Sequence, residues 1–276
     1  MTEKYKFNDI IAETLLIPLY MRAKESRRGE KAIIHDNMAE SLIEKFDCDY
    51  SQFDKAKLSE VGCVVRGWYF DNAVRRFIAT HTDVVVVNVG CGLDTRCQRI
   101  GGNTIFYELD LPEVMDLRKK LIPETKTDRH ITASLLDEEW MDKLKETHPD
   151  SNFIFVAEGV LMYFREEQVR QFLSRIAAKF GGGELWFDVC GTMMSRHHVK
   201  PDSLRKHKAE IRSGISDGQV VEKWEPRLKL IEQSNYMKFF RLRWGLFGIV
   251  MGLFPWLCYK FSSLLGYRIL PEDRAY

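Results

Sequence analysis

The sequence predicts an α/β fold, a doubly wound, Rossmann-like sheet preceded by a helical cap and followed by further helical pieces. Three observations carry this. Residues 84–89 (VVVVNV) form a continuous valine-rich run that ends at a glycine, the pattern of a strand buried on both faces of a parallel sheet. Three further apolar runs, at 104–109, 152–157 and 184–189, alternate with segments whose apolar residues recur at helical spacing. Residues 8–80, by contrast, carry helical periodicity.

Taken in order, residues 12–22 show the helical pattern with a break at Pro18, because proline lacks the N–H that a helix interior needs. The pattern returns at 33–46, where Asp36 is placed to cap a helix around 39–46, and again at 63–78. Between the strands, helices are expected at 113–121, 138–146 and 166–180, and the Gly181-Gly182-Gly183 turn delivers the fourth strand. Beyond Cys190 the pattern weakens into a polar connection at 195–220, helical pieces, and a closing strand near 267–270. A chain of 276 residues suits one domain organised as a cap (1–82), a ligand-binding core (83–190), and a lid with closing elements (191–276).

Composition removes several function classes. Lys and Arg number 41 against 40 Asp and Glu, so the net charge of +1 gives no general attraction for nucleic acid. The locally basic stretch 200–212 lacks interleaved aromatics and reads as a solvated helix or lid. The six cysteines include no C-x-x-C pair, so neither a zinc site nor a disulfide framework is expected. The first residues lack an apolar secretory core, and a cytoplasmic protein is the expectation. The apolar run 244–258 (WGLFGIVMGLFPWLC) falls short of the roughly 20 residues of a membrane span and contains Pro255, so no stable membrane insertion is expected. It reads as core, or as the wall of an apolar pocket formed by Trp244, Phe247, Phe254, Trp256 and Phe261, with membrane contact as the less favoured alternative. The oligomeric state is not legible.

In a doubly wound sheet, ligands bind beyond the carboxyl ends of the strands. Gly90 and Gly92 follow the first strand there, where glycine lets the backbone turn sharply and approach a ligand, and Asp94-Thr95 offers a capping pair for the next helix. A dinucleotide fingerprint requires a third glycine, but Thr95 occupies that position and an aspartate precedes it, a poor neighbour for pyrophosphate. S-adenosylmethionine has no phosphate and carries an ammonium and a sulfonium, so acids near the loop suit it. The second strand ends in YELD, and Asp110 lies 18 residues after Gly92, close to the ~20 expected of an acid that binds a ribose.

These residues fit a larger pattern. The stretch AETLLIPLY at 12–20 with Arg22-Ala23, then Ile34-His35-Asp36 with Ala39, Val65-Arg66-Gly67 with Asp71, VGCGLDTR at 89–96, YELDLPEV at 107–114 and AEGVLMY at 157–163 together resemble the leucine carboxyl methyltransferase family. Within it, they are most similar to the branch of polyketide O-methyltransferases of the tetracenomycin type. The resemblance implies a class I S-adenosylmethionine-dependent methyltransferase that releases S-adenosylhomocysteine. It implies that Arg66 pairs with the cofactor carboxylate, that Gly90 and Gly92 pass along the methionine part, that Asp110, assisted by Glu108, holds the ribose, and that Glu158 receives the ammonium. Near the adenine the family has an Asp-Leu pair, whereas this chain has Ser134-Leu135, with Asp137 following.

Methyl transfer from a sulfonium is an in-line displacement with a good leaving group, so alignment and desolvation supply much of the catalysis. A carboxylate acceptor needs no base, whereas a phenol with its pKa near 10 benefits from one. No compelling base stands out. Tyr20, Tyr163 and His197 (beside His198) are the candidates by position, with Arg22 as a further pocket residue. The expected reaction is O-methylation of a small carboxylate or phenol. The alternatives are methylation of a protein's C-terminal carboxylate, a module that binds the cofactor without catalysis, and a nicotinamide oxidoreductase, against which Thr95 argues.

Overall fold

The computed structural model describes residues 10–196, 201–204 and 210–271. A seven-stranded sheet runs in the order β3-β2-β1-β4-β5-β7-β6. Its strands are β1 (Val84–Val89), β2 (Ile105–Asp110), β3 (Asp128–Thr132), β4 (Asn152–Ala157), β5 (Glu184–Cys190), β6 (Leu228–Ser234) and β7 (Ser262–Ile269). The first five are parallel, and β7 enters antiparallel between β5 and β6. This is the α/β, Rossmann-like sheet that the alternating pattern predicts.

The valine run explains the layering. Successive strand residues point to opposite faces, so Val85, Val87 and Val89 pack on one side with α6 (Glu139–Thr147) and α7 (Glu166–Lys179). Val86 packs on the other side with Tyr69, Phe70, Val74 and Phe77 of α3 (Lys57–Thr80). Asn88 is the next residue on that second face, and it is where the apolar stripe gives way to a buried polar network.

The N-terminal segment folds as α1 (Ile10–Ser26), α2 (Asn37–Ile43) and the long α3. Asp36 accepts the Ala39 N–H and so caps α2. The expected break at Pro18 is absent, and α1 runs through it. Leu16, Ile17, Leu19, Met21 and Ala23 are all buried around it. A proline in a helix interior costs about 3 kcal/mol, while burying each large side chain returns about 1.5–3 kcal/mol, so packing outweighs the lost hydrogen bond.

Two strands have no counterpart in the sequence reading. β3 (DRHIT) and β6 (LKLIEQS) are the two edges of the sheet, half-solvated and polar, and β6 carries a register shift between Leu230 and Glu232. Without an apolar run they give little periodic signal. The closing strand begins five residues earlier than position 267, and its Gly266 lies against the Trp186 ring, where a Cβ would stand 2.5 Å from the indole. The remaining helices are α4 (Arg96–Ile100), α5 (Pro112–Leu121), α8 (Thr192–Arg196), α9 (Gln219–Trp224), α10 (Gly245–Met251) and α11 (Pro255–Phe261). Of the basic stretch 200–212, only part is described; Asp202 accepts the Leu58 and Ser59 N–H groups and thereby caps the start of α3. Among the described residues no single helix is long and apolar enough to cross a membrane.

Candidate active site

A cavity of about 510 Å³ opens at the carboxyl ends of β1, β4 and β5, bounded by α1 and α3 on one side and by α10 and α11 on the other. The turn after β1 forms its floor. Gly90 and Gly92 adopt φ of +69° and +52°, a left-handed conformation that favours glycine. Gly90 and Cys91 donate their N–H groups to the Leu109 carbonyl, and Gly92 donates to Asp110 Oδ2 at 2.8 Å. There is no room for a side chain, because a Cβ on Gly90 would stand 2.4 Å from the Val160 side chain.

Around this turn lies a network of buried charge. Arg66, from α3, donates through Nε to Glu158 Oε1 (3.1 Å) and through Nη1 to Asp188 Oδ2 (3.0 Å), leaving Nη2 beside Gly159. Arg96 reaches Asp71, Asn88, Asp94 and Glu158 at once. Arg99 joins Asp36, Asp71 and Asp94, and Arg22 joins Asp36 and the Leu93 carbonyl. Asp188 also accepts the Gly159 N–H and the Tyr236 hydroxyl. Burial opposes the charge on Asp94, but Arg96, Arg99 and Arg22 overcome it and hold the carboxyl well below its usual range. The same balance works on Arg66: burial disfavours its charge, and Asp188 with Glu158 keep it protonated.

Four guanidiniums thus meet five carboxylates, which leaves one negative charge unbalanced in the set. Most members are sealed, Arg96 and Asp188 at 1% side-chain exposure, whereas Arg66, Asp94 and Glu158 keep 13% and are the ones that can meet a ligand. A glycine cradle too tight for a Cβ, beside a charge set short of one cation, fits a ligand with an amino-acid moiety and a net positive charge.

The structure brings Arg66, Gly90, Gly92, Glu158 and Tyr163 together in the cavity wall, along with Arg22. Asp110 stands outside that wall at the tip of β2, half-buried, with its two oxygens receiving the Gly92 and Leu111 N–H groups. Burial raises its pKa while those two hydrogen bonds pull it down. Ser134 and Leu135 follow β3. The Ser134 hydroxyl accepts the Leu136 N–H, its own N–H goes to Asp137, and Leu135 is buried.

Three expectations are corrected. Glu108 does not reach the cleft. It is fully buried beneath the sheet edge, accepting from the Asn88 amide with Arg118 3.4 Å away, and burial pushes its pKa up to about 7. Position along the strand is the reason: both acids point to the same face, but Asp110 ends β2 whereas Glu108 lies two residues inside it, within the buried part of the strand. Tyr20 also faces away from the cavity; it donates to Asp54 and stacks on Tyr50 at 4.8 Å. Thr95 does not cap α4, because its hydroxyl donates to Asp36 instead. His197 and His198 lie outside the described residues. The sequence reading missed Asp188 and Tyr236. Asp188 had a signal, being an acid near the end of a central strand like Asp110 and Glu158; Tyr236 had none.

At its far end the cavity is walled by apolar side chains, among them Met162, Met194, Trp244, Phe247, Met251 and Phe261. Tyr163 shares this region, and burial pushes its phenol up to about 12, so it is neutral at physiological pH.

Comparison with known proteins accounts for this arrangement. A model of the leucine carboxyl methyltransferase family matches residues 16–177. The tetracenomycin polyketide synthesis O-methyltransferase TcmP of Streptomyces glaucescens is 31% identical over 229 residues, covering 82% of this chain and 83% of that protein. The chain belongs to the leucine carboxyl methyltransferase family. It is an S-adenosylmethionine-dependent methyltransferase, and its cofactor is S-adenosylmethionine. A putative S-adenosylmethionine-dependent methyltransferase of Mycolicibacterium gilvum is 27% identical over 173 residues, covering 55% of this chain and 58% of that one. The crystal structure of a DUF574 family protein from Streptomyces avermitilis shares the fold, with a TM-score of 0.58 at 13% identity over 94% of this chain and 97% of that one.

Proposed function

We propose that this methyltransferase acts on an oxygen of a small, largely apolar, polyketide-like acceptor that carries a carboxylate or an acidic phenol. The observation that carries the reading is the two-ended cavity, with a glycine cradle and charge network at one end and apolar walls at the other. Its described lining residues include no histidine or lysine, and its tyrosines are held protonated by burial. An acceptor that ionises by itself needs no base, which favours oxygen acids over amines or ordinary alcohols. The Streptomyces glaucescens relative, a polyketide synthesis O-methyltransferase, supports the same reading.

When bound, S-adenosylmethionine supplies an electrophilic methyl group with a neutral thioether as its leaving group. Gly90 and Gly92 would take the backbone along its amino-acid part, Glu158 would accept from its ammonium, and Arg66 Nη2 would be the donor for its carboxylate. Asp110 has lone pairs remaining for the ribose hydroxyls, and Ser134 with Leu135 would border the adenine. Arg96 and Asp188 are positioning residues that fix Glu158 and Arg66. The apolar walls exclude water from the acceptor and strip the solvation that weakens an oxyanion nucleophile.

The test is transfer of isotopically labelled methyl to a panel of aromatic carboxylic acids, phenols, amines and a peptide with a free C-terminal carboxylate. Label in a base-labile ester or a base-stable ether of a small acceptor supports the reading. Label confined to amines or to the peptide overturns it.

A further inference from the structure

The run 244–258, expected as core or pocket wall with membrane contact as the alternative, is pocket wall on one side only. Trp244, Met251, Cys258 and Phe261 turn inward to the cavity, and Phe247 borders it while staying about half exposed. On the outer side Leu242, Leu246, Leu253 and Trp256 are 86%, 77%, 67% and 59% exposed, with Val250 and Phe254 about half exposed beside them. A contiguous outward apolar face of this kind marks an interaction site.

Its geometry and charge narrow the partner. The pair formed by Arg241–Met251 and Pro255–Phe261 is bent by 106° at its break. Helices α10 and α11 have seven residues each, about 10 Å of rise, against roughly 30 Å of bilayer hydrocarbon. They match the shallow depth at which interfacial helices lie. No acid occurs from residue 233 to residue 271, while Lys238, Arg241 and Lys260 are exposed around the apolar face. Lys260 lies over the Trp256 ring at 4.9 Å, a cation and an amphipathic aromatic at the rim of the greasy face. Glu25, an acid that meets this segment, is buried and paired with Arg243, so the exposed cations of the segment itself complement an anionic lipid surface.

We propose that the α10–α11 pair docks on an anionic lipid surface, its outer face in one leaflet and its inner face walling the cavity. The acceptor is then a lipophilic molecule that enters from the membrane without crossing bulk water. This second statement rests on reading the cavity as the acceptor site; the docking does not.

The experiment is flotation of the full chain with vesicles of phosphatidylcholine alone and of phosphatidylcholine with an equimolar share of phosphatidylglycerol. The protein floats with the mixed vesicles, about tenfold less with the neutral ones, and less again at high salt. Leu246→Glu combined with Leu253→Glu abolishes flotation while melting temperature and S-adenosylhomocysteine affinity stay as in the wild type, because neither side chain lines the cavity. Wild type that stays with the soluble fraction overturns the proposal. So does a dimer in light scattering that the double variant splits, which would give the face to a second copy of this chain. Flotation with no methylation of any lipophilic carboxylate or phenol would sink the acceptor reading and leave the docking standing.

Discussion

At the sheet end of the cavity, buried arginines and acids hold one another in place, and every member has two or more partners. At the other end, two seven-residue helices present apolar side chains to the cavity and to the outside at once. The first end lies almost entirely within the segment matched by the family model, residues 16–177, and the second lies beyond it. On the proposed function, the difference teaches a division of labour. Recognition of a charged, invariant ligand needs fixed geometry, so it is built from ion pairs on strand ends. Admission of an apolar molecule needs only shape and dryness, which short helices supply and which can vary freely.

The largest expected effect comes from cutting the network at its centre. Arg96→Met leaves Asp71, Asp94 and Glu158 without their shared cation in a dry site, and losing one partner of a buried ion pair costs about 3–5 kcal/mol. Thermal denaturation should show a fall of about 10 °C in Tm. A Tm within experimental error of the wild type would mean that the two ends do not differ in rigidity as described.

The next effect is a pH dependence in the same end. Glu108 has its pKa raised to about 7 by burial, above its ordinary unfolded value. The folded state therefore binds more protons between these two values, so the contribution of Glu108 to stability is present at low pH and is lost as pH rises through about 7. Glu108→Gln removes that slope, and the gain over wild type at pH 8 should be no more than about 3 kcal/mol. Denaturant melts at pH 5 and pH 8 measure it; equal slopes for both proteins would show that Arg118 keeps Glu108 charged throughout.

Gly90→Ala tests the cradle. The left-handed φ and the 2.4 Å approach to Val160 together cost about 2 kcal/mol, and calorimetry should show S-adenosylhomocysteine affinity lower by more than about tenfold. Adding Val160→Ala should restore part of it. The smallest effect belongs to the apolar end. Phe247→Ala should raise the acceptor KM by a factor of about 3–10 with the S-adenosylhomocysteine dissociation constant unchanged. Weakening of both would join the two ends into one coupled site.

The core strands were legible because burial on both faces leaves a continuous apolar run; β1 and β4 fall on residues 84–89 and 152–157 as read. The edge strands β3 and β6 were not, since an edge faces water and its sequence is polar. In the site, Gly90, Gly92, Arg66 and Glu158 could be picked out from position and motif, and they converge on one cavity. Glu108 and Tyr20 could not be separated from their neighbours by sequence, because an acid or a phenol reads the same whether it faces a cleft or a buried arginine.

The sequence by itself determined the order of the core strands and their helices, the glycine turn and the family, since each is a local pattern of residue size, polarity and backbone freedom. Tertiary structure alone decided who pairs with whom. Arg66 holds Asp188 across 122 positions and Arg96 holds Glu158 across 62, contacts that no periodicity encodes. It also decided that the apolar run 244–258 has one face in the cavity and one face uncovered. Hydrophobicity states that a side chain avoids water; only the packing of the rest of the chain fixes which side chains are given the chance.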